Sequence, residues 1–289
     1  SATTDVQFLI HQGFTYFNAS FWVGANALIR ARALEDIKEV DTERGYQVTR
    51  YIQDRTVIED TESSIDLLTK QWEVFNYLDK LAFSATPPDF GSLIIQRRRW
   101  ANGGLIIFPK LFSYFFRGKN SLKRRIVECL ARSHYLLSIA IVNFGIIGMM
   151  LYPFDGDLSI KWLVASALLY FFFYGRDLVF IGYTVPDLFR VYALNLMLIP
   201  INIGGVLKSI EQMITKKKIP FGRTPKIAGR TAASSLYIIA EVLLVFYMLS
   251  GVVFDVAAER WTQAIFALIK GAYLWYAMID FIGWKYSFE

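Results

Sequence analysis

The chain has 289 residues, 54% hydrophobic and 16% aromatic, with a formal net charge of +6. That hydrophobicity excludes an ordinary soluble domain and points to a multi-span membrane protein with a polar portion. The single Cys129 excludes an internal disulfide, His11 and His134 alone make no zinc cluster, and no Rossmann or P-loop glycine pattern is present. Residues 1–90 have a mixed α/β character. Phe21 to Ile29 reads as a buried strand, with Gly24 where something approaches closely. Arg30 to Glu39 has helical composition. Asp60 or Thr61 is placed to cap a helix running through Ile65, Leu67 and Leu68 to Lys70. Trp72 to Ala82 alternates and reads as a strand ending at Thr86-Pro87-Pro88, after which Asp89 or Ser92 opens a helix.

That helix, with the rest of residues 91–130, is expected to be amphipathic and interfacial. Gln96, Arg99 and Trp100 fall at i, i+3 and i+4, so amide, guanidinium and indole share one face. The trio suits a phosphorylated sugar beside a second sugar. The bland reading of the same residues is an arginine-rich helix on a membrane surface, and Arg97 and Arg98 are read as membrane-surface or structural charges. Leu105 to Phe116 is apolar but interrupted by Pro109, and is short for a span of about 20 residues. With Arg97 to Arg99 before it and Arg117 to Arg125 after it, it is expected to lie along the cytoplasmic lipid surface.

Residues 131–289 form the membrane region, with spans at 131–152, 160–183, 231–254 and 261–284. The run 188–214 is broken by Arg190, Asn195, Pro200, Asn202 and Gly204-Gly205. The basic clusters before residue 126 and at 216–230 should both be cytoplasmic, so an even number of crossings separates them. This makes 188–214 an interfacial or re-entrant helix. The charge distribution reads as membrane topology rather than nucleic-acid binding. Glu241 and Lys270 lie inside the last two spans at depths that differ by about 6 Å of helix rise. A pair between them would soften the cost of burying either charge; the alternative is that one faces a polar cavity.

Four stretches in this order resemble the processive family-two membrane glycosyltransferases, the cellulose, hyaluronan and chitin synthases. Phe21-Trp22-Val23-Gly24-Ala25-Asn26 is similar to their acceptor-side Phe-x-Cys-Gly-(Ser/Thr)-(Ala/Asn) stretch. Ile58-Glu59-Asp60 is similar to Thr-Glu-Asp, and Gln96 to Trp100 fits Gln-x-x-Arg-Trp in full. Phe221 to Lys226 keeps the Phe, Thr and Lys spacing of a Phe-x-Val-Thr-x-Lys gating loop, here within 219–230. Departures fall at Val23, Ile58 and Arg223. The likeness spans nearly the whole chain.

The resemblance implies the C-terminal half of a GT-A-type glycosyltransferase domain over residues 1–90, then interfacial helices and a transmembrane helix bundle. It implies a multi-pass protein of the inner or plasma membrane with its catalytic part cytoplasmic. The partners would be a nucleotide-sugar donor, a polysaccharide acceptor and membrane lipid. The reaction would be inverting transfer of a sugar, with UDP-glucose favoured, to a growing β-linked polysaccharide that is exported across the membrane. Asp60 would be the base, supported by Glu59; taken alone, Asp60 is as readily a helix cap. Arg99, Gln96, Lys226 and Thr224 would hold the donor diphosphate. Trp100, Gly24, Asn26 and Phe21 would face the acceptor. Phe221 and Arg223 would belong to the gating loop, whose composition fits a positive-inside tether equally well. Mg2+ or Mn2+ is implied for the complete enzyme. The aspartate motifs that would hold uracil and metal are not recognisable here, so this chain supplies no metal ligand and is expected to be part of a longer protein. The alternatives are a non-processive enzyme that glycosylates a membrane lipid, or a non-catalytic channel or assembly subunit.

Overall fold

The computed structural model describes residues 9–24, 26–53, 56–77, 79, 85–154, 160–215, 217, 224 and 231–283, but not the side chains of 160–167 and 170. In chain order, a short helix α1 (His11–Tyr16) and α2 (Ala31–Ile37) precede an antiparallel hairpin, β1 (Glu39–Glu43) and β2 (Tyr46–Arg50). The helix α3 (Glu59–Thr69) follows, then α4 (Phe90–Arg117) and α5 (Leu122–Met150). The remaining helices are α6 (Ile160–Phe180), α7 (Val185–Met197), α8 (Ile199–Thr215), α9 (Ser235–Ala257) and α10 (Trp261–Ala277). The described residues are thus mostly helical, with one two-stranded sheet. The mixed α/β expectation for residues 1–90 is met only in that small, largely exposed hairpin.

Neither expected strand forms among the described residues. Phe21 to Ile29 contributes a single bridge, Val23 to Asn26, because its backbone turns back on itself: the Asn26 amide donates to the Val23 carbonyl at 3.0 Å. Residues 72–77 are irregular. Their polar groups bond to side chains instead of a neighbouring strand: the Asn76 amide donates to Thr15 Oγ1 at 3.1 Å, and Trp72 Nε1 to Asp36 Oδ2 at 3.0 Å. The helix over Ala31–Ile37 and the one over Glu59–Thr69 agree with expectation. Asp60 is not the cap of α3, however; Ile58 holds that position and Asp60 lies within the first turn.

The helix α4 is the spine of the molecule. Asp89 caps it by accepting the Ser92 amide at 2.7 Å. It then runs unbroken through Pro109, which reads in the sequence as interrupting the apolar stretch. At about 1.5 Å per residue its 28 residues reach roughly 42 Å. Small residues let three neighbours approach. A methyl group on Gly103 would collide with the Ile58 side chain, and one on Gly104 with the Leu136 carbonyl of α5. Gly205 of α8 packs so that an added Cβ would lie 2.6 Å from Ala101 Cβ and 2.7 Å from the Arg98 carbonyl oxygen. Close backbone approach of this kind replaces large side chains at helix crossings.

Two larger cores lie along α4. Near its C-terminal half, Ile107 and Leu111 pack with Ile65 and Leu68 of α3, Phe21, and Cys129 and Leu136 of α5. At its N-terminal end, Phe90 and Ile94 join the apolar interior of α7 to α10, where Met197, Ile201, Met248 and Leu274 are buried. Where water is the alternative, burying such a side chain contributes about 1.5–3 kcal/mol; between helices in lipid, close packing takes that part. Outward-facing Phe112 and Phe116 keep an apolar outer stripe on α4.

Three described helices are long and apolar enough to cross a membrane: Leu122–Phe154, Ser235–Ala257 and Trp261–Ile282. The first begins within the basic cluster, upstream of the expected residue 131. The run expected as interfacial or re-entrant is α7 and α8, bent by 43° at Leu198, a broken span or a re-entrant loop. Pro200 explains the break: it has no amide to continue the α7 ladder, yet fits the first turn of α8. The Glu241–Lys270 pair does not form. Neither carboxylate oxygen of the fully buried Glu241 has a hydrogen-bond partner among the described residues. Lys270 Nζ instead sits 4.5 Å from the ring centre of Tyr192 and 5.3 Å from that of Phe266.

Candidate active site

Trp22, Val23 and Gly24 are stitched onto the first turns of α3. The Trp22 amide donates to Ser64 Oγ at 3.0 Å, and Ser64 Oγ donates to the Asp60 carbonyl at 2.8 Å. The Gly24 amide donates to Asp60 Oδ2 at 3.0 Å, while Asp60 Oδ1 accepts the Thr61 amide at 2.7 Å. Two backbone amides therefore set the direction of the Asp60 carboxylate, which remains half-buried at the surface. Gly24 is needed for space: a Cβ there would lie 3.1 Å from Asp60 Oδ2. Asn26 and Gly24 are exposed beside it.

The helix bearing Gln96 to Trp100 reaches the same place. Gly103, one turn beyond Arg99, lies against Ile58, which immediately precedes Glu59. Burial pushes the half-buried Glu59 carboxyl up, its neighbour Asp60 adds to this, and the Arg99 guanidinium opposes both. Arg99 thus acts electrostatically on the Glu59–Asp60 corner across the helix crossing. Further along, Lys110 Nζ bonds Asp66 at 2.6 Å and Glu62 at 3.2 Å, fastening α3 to α4. Burial raises the Asp66 carboxyl, and Lys110 partly offsets this.

Gln96, Arg99 and Trp100 are half-buried and Arg98 is exposed. Arg97 stacks its guanidinium 5.0 Å from the centre of the Trp100 ring, so it covers part of the indole instead of pointing elsewhere. Desolvation lowers the Arg97 guanidinium's affinity for its proton. Phe21 is 3% exposed, with its ring 4.8 Å from Tyr135 and under the Arg132 guanidinium at 4.6 Å. Its ring is therefore core that anchors the Gly24 loop, not a surface an acceptor touches. Thr224 is buried, and its hydroxyl has no hydrogen-bond partner among the described residues. Phe221, Arg223 and Lys226 lie outside the described residues.

Beneath the Gly24 loop is a buried polar cluster that spacing alone did not reveal. Arg132 of α5 donates to the carbonyls of Ser20 at 3.0 Å and Asn18 at 3.3 Å. The buried Glu128 accepts from Asn18 Nδ2 at 2.8 Å, Tyr114 OH at 2.5 Å and Arg124 Nε at 2.7 Å. His11 Nδ1 accepts the Phe21 amide at 3.3 Å and lies 3.1 Å from Ser20 Oγ. Burial first, and Arg132 second, push the His11 imidazole down to about 4. An arginine in a span, as Arg132 is, was the available signal for such a cluster. Tyr135 of α5 lies against Thr61, within electrostatic reach of Asp60.

Among the described residues no three His, Cys, Asp or Glu side chains gather as a metal-holding group. Glu59 and Asp60 do not make a cation cradle, since backbone amides already approach both Asp60 oxygens. What the arrangement offers is a carboxylate oriented by an exposed loop, a guanidinium acting on the neighbouring Glu59, and a partly covered indole beside that guanidinium on α4. The family described as Glycosyl transferase family group 2 matches this chain over residues 1–175, which takes in the whole of this site and continues through α5 into α6. No curated protein and no solved structure matches.

Proposed function

The chain belongs to glycosyl transferase family group 2 and is an enzyme that transfers a sugar from a donor to an acceptor, and on that premise we propose that it performs inverting transfer from UDP-glucose to a growing β-linked polysaccharide, with export across the membrane. The reading rests above all on the hydrogen bond from the Gly24 amide to Asp60 Oδ2 at the crossing that carries Arg99. An acceptor hydroxyl attacks C1 of the donor sugar from the face opposite the leaving group. The new C1–O bond forms as the bond to the diphosphate breaks, and the diphosphate keeps the electron pair. The hydroxyl proton passes to Asp60, for which the site needs an ionised carboxylate within about 3 Å. An α-linked donor becomes a β-linkage.

Arg99, helped by Gln96, offers planar charge-assisted donors to the departing oxygens, and Thr224 and Lys226 would close on the same group. Glu59 orients and tunes the corner. Gly24 and Asn26 face the acceptor, with the free part of the Trp100 indole as its platform. The GT-A arrangement and a divalent ion, Mg2+ or Mn2+, belong to the same reading. The three apolar helices suit a protein whose product leaves through a membrane, with the site on the cytoplasmic side of an inner or plasma membrane.

The test is to incubate membranes holding the full-length protein with UDP-glucose or UDP-N-acetylglucosamine and Mg2+ or Mn2+, then size the product. A long polymer is expected. A single-sugar glycolipid would replace the processive reading with lipid glycosylation, and no transfer from either donor would contradict both.

A further inference from the structure

One carboxylate at the start of α4 performs two tasks. Asp89 Oδ1 accepts the Ser92 amide at 2.7 Å and caps the helix, while Asp89 Oδ2 accepts the Thr231 amide at 3.0 Å from the segment that leads into α9. Ser92 Oγ and Thr231 Oγ1 lie 3.0 Å apart. Between them, Gly91 is so close to Thr231 that a methyl group would collide with its carbonyl and meet the Ala232 carbonyl oxygen at 3.0 Å. The amide, the hydroxyl and the carbonyl of Thr231 therefore all face the first turn of α4. A helix cap needs one acceptor. Capping accounts for Oδ1 and leaves the second oxygen, the hydroxyl pair and the close approach at Gly91 as a separate joint.

The joint sits upstream of Gln96 to Trp100. Gln96 is seven residues past Asp89, about 10 Å along the axis, and Arg99 about 15 Å. At and beyond them α4 is fixed again, by Gly205 against Arg98 and Ala101 and by Ile58 against Gly103. The segment carrying amide, guanidinium and indole thus lies between two fixed points. A helix held at both ends keeps its roll and its depth. Without the joint, the packing of Phe90 and Ile94 still buries this end but supplies no directional bond, so the helix can rock about the Gly103 and Gly205 crossings and shift Gln96.

We propose that Asp89 is a positioning residue for sugar transfer, locking α4 to the foot of α9 through Thr231 so that Gln96, Arg99 and Trp100 stay in register with Asp60. This rests on the assignment of Gln96 to Trp100 to the transfer site. It also makes the position of a membrane helix, α9, a condition for turnover at a site outside it.

Asp89→Asn separates the two tasks. Asparagine caps a helix as well as aspartate does, using its oxygen toward Ser92, but then presents an N–H to the Thr231 N–H. The full-length protein in membranes is compared as wild type, Asp89→Asn and Asp89→Ala. Three quantities are read: hydrogen exchange at the Thr231 amide, thermal unfolding, and initial rates with UDP-glucose and UDP-N-acetylglucosamine. The Asn variant is expected to unfold at the wild-type temperature and exchange the Thr231 amide at least about ten-fold faster. Its kcat should fall about ten- to hundred-fold with little change in KM, as displacement of a reacting group by an ångström does. The Ala variant loses stability as well. Wild-type kcat in the Asn variant, or an unchanged Thr231 exchange rate, overturns the proposal. If the Asn variant does not accumulate, Gly91→Ala pushes Thr231 away with the cap intact and must show the same kcat loss; normal turnover there overturns it equally. The exchange measurement decides the joint without any activity. A wild type that transfers neither sugar counts instead against the assigned reaction.

Discussion

Around Asp60, half-buried polar groups meet partners from distant parts of the chain. Gly24 and Thr61 amides hold the carboxylate, Ser64 ties the loop to α3, and Arg132 reaches from α5 to the carbonyls below it. In the bundle of α7 to α10 the rule is different. Glu241 is fully buried with neither oxygen hydrogen-bonded among the described residues, and Lys270 rests against aromatic rings. The first region gains a defined geometry from its hydrogen bonds, because an unmet group there would cost its desolvation. The second is held by apolar packing that tolerates loosely placed charges. The contrast separates a region whose hydrogen bonds hold atoms in place from one whose helices are long and apolar enough to cross a membrane.

Substitutions can break this contrast in order of expected size. Asp60→Asn removes the base and should lower the transfer rate by about 10²–10⁴-fold while donor binding survives. Initial rates and donor titration on membranes check it, and near-normal turnover would remove Asp60 from the chemistry. The largest stability effect is expected from pH. The folded chain refuses a proton on His11 until about pH 4, whereas the unfolded chain takes one near 6.5. Stability from this group is complete above about pH 6.5 and is lost as pH falls toward 4, by a few kcal/mol at the order-of-magnitude level. His11→Gln should flatten the unfolding temperature across that window; an unchanged slope would place the pH sensitivity elsewhere.

Gly24→Ala sharpens the same comparison on a smaller scale. The methyl group must push Asp60 Oδ2 by a few tenths of an ångström, so turnover should fall about ten-fold with stability within about 0.5 kcal/mol of wild type. In the bundle, Glu241→Leu should be neutral or slightly stabilising, since it removes a buried carboxylate that gains no hydrogen bond. Exchanging the two charges, as Glu241→Lys with Lys270→Glu, should rescue no defect of either single change. A clear rescue in unfolding temperature would restore the pair that the structure lacks.

What was legible in the sequence was what depends on local pattern. Apolar length located Ser235–Ala257 and Trp261–Ile282 within a few residues, and Pro200 marked the break between α7 and α8. Asp89, read as a helix start, is one. The strand readings failed, the apolar run at Trp22 and the alternation at Trp72, because these segments bond to side chains of α1, α2 and α3, partners that no local pattern records. The β1–β2 hairpin passed unnoticed although Arg44 and Gly45, both at positive φ, form the two-residue turn that favours it. The reach of Arg99 toward Glu59 followed from resemblance, but the means, a missing side chain at Gly103, is visible only in packing. Arg97 over Trp100 was open to the sequence: three residues apart, the two lie side by side on a helix, although Arg97 reads there as a membrane-surface or structural charge.

The account depends most on α4 crossing α3 at the Glu59–Asp60 corner, and a disulfide measures that crossing directly. A Cβ on Gly103 would sit 3.1 Å from Ile58 Cβ, near the roughly 3.5–4.5 Å that a disulfide spans. With Cys129 replaced by serine, the Ile58→Cys, Gly103→Cys protein should cross-link rapidly and nearly completely under mild oxidation in intact membranes. A folded protein that forms no such link would show that the two helices do not meet there, and would contradict the shared site.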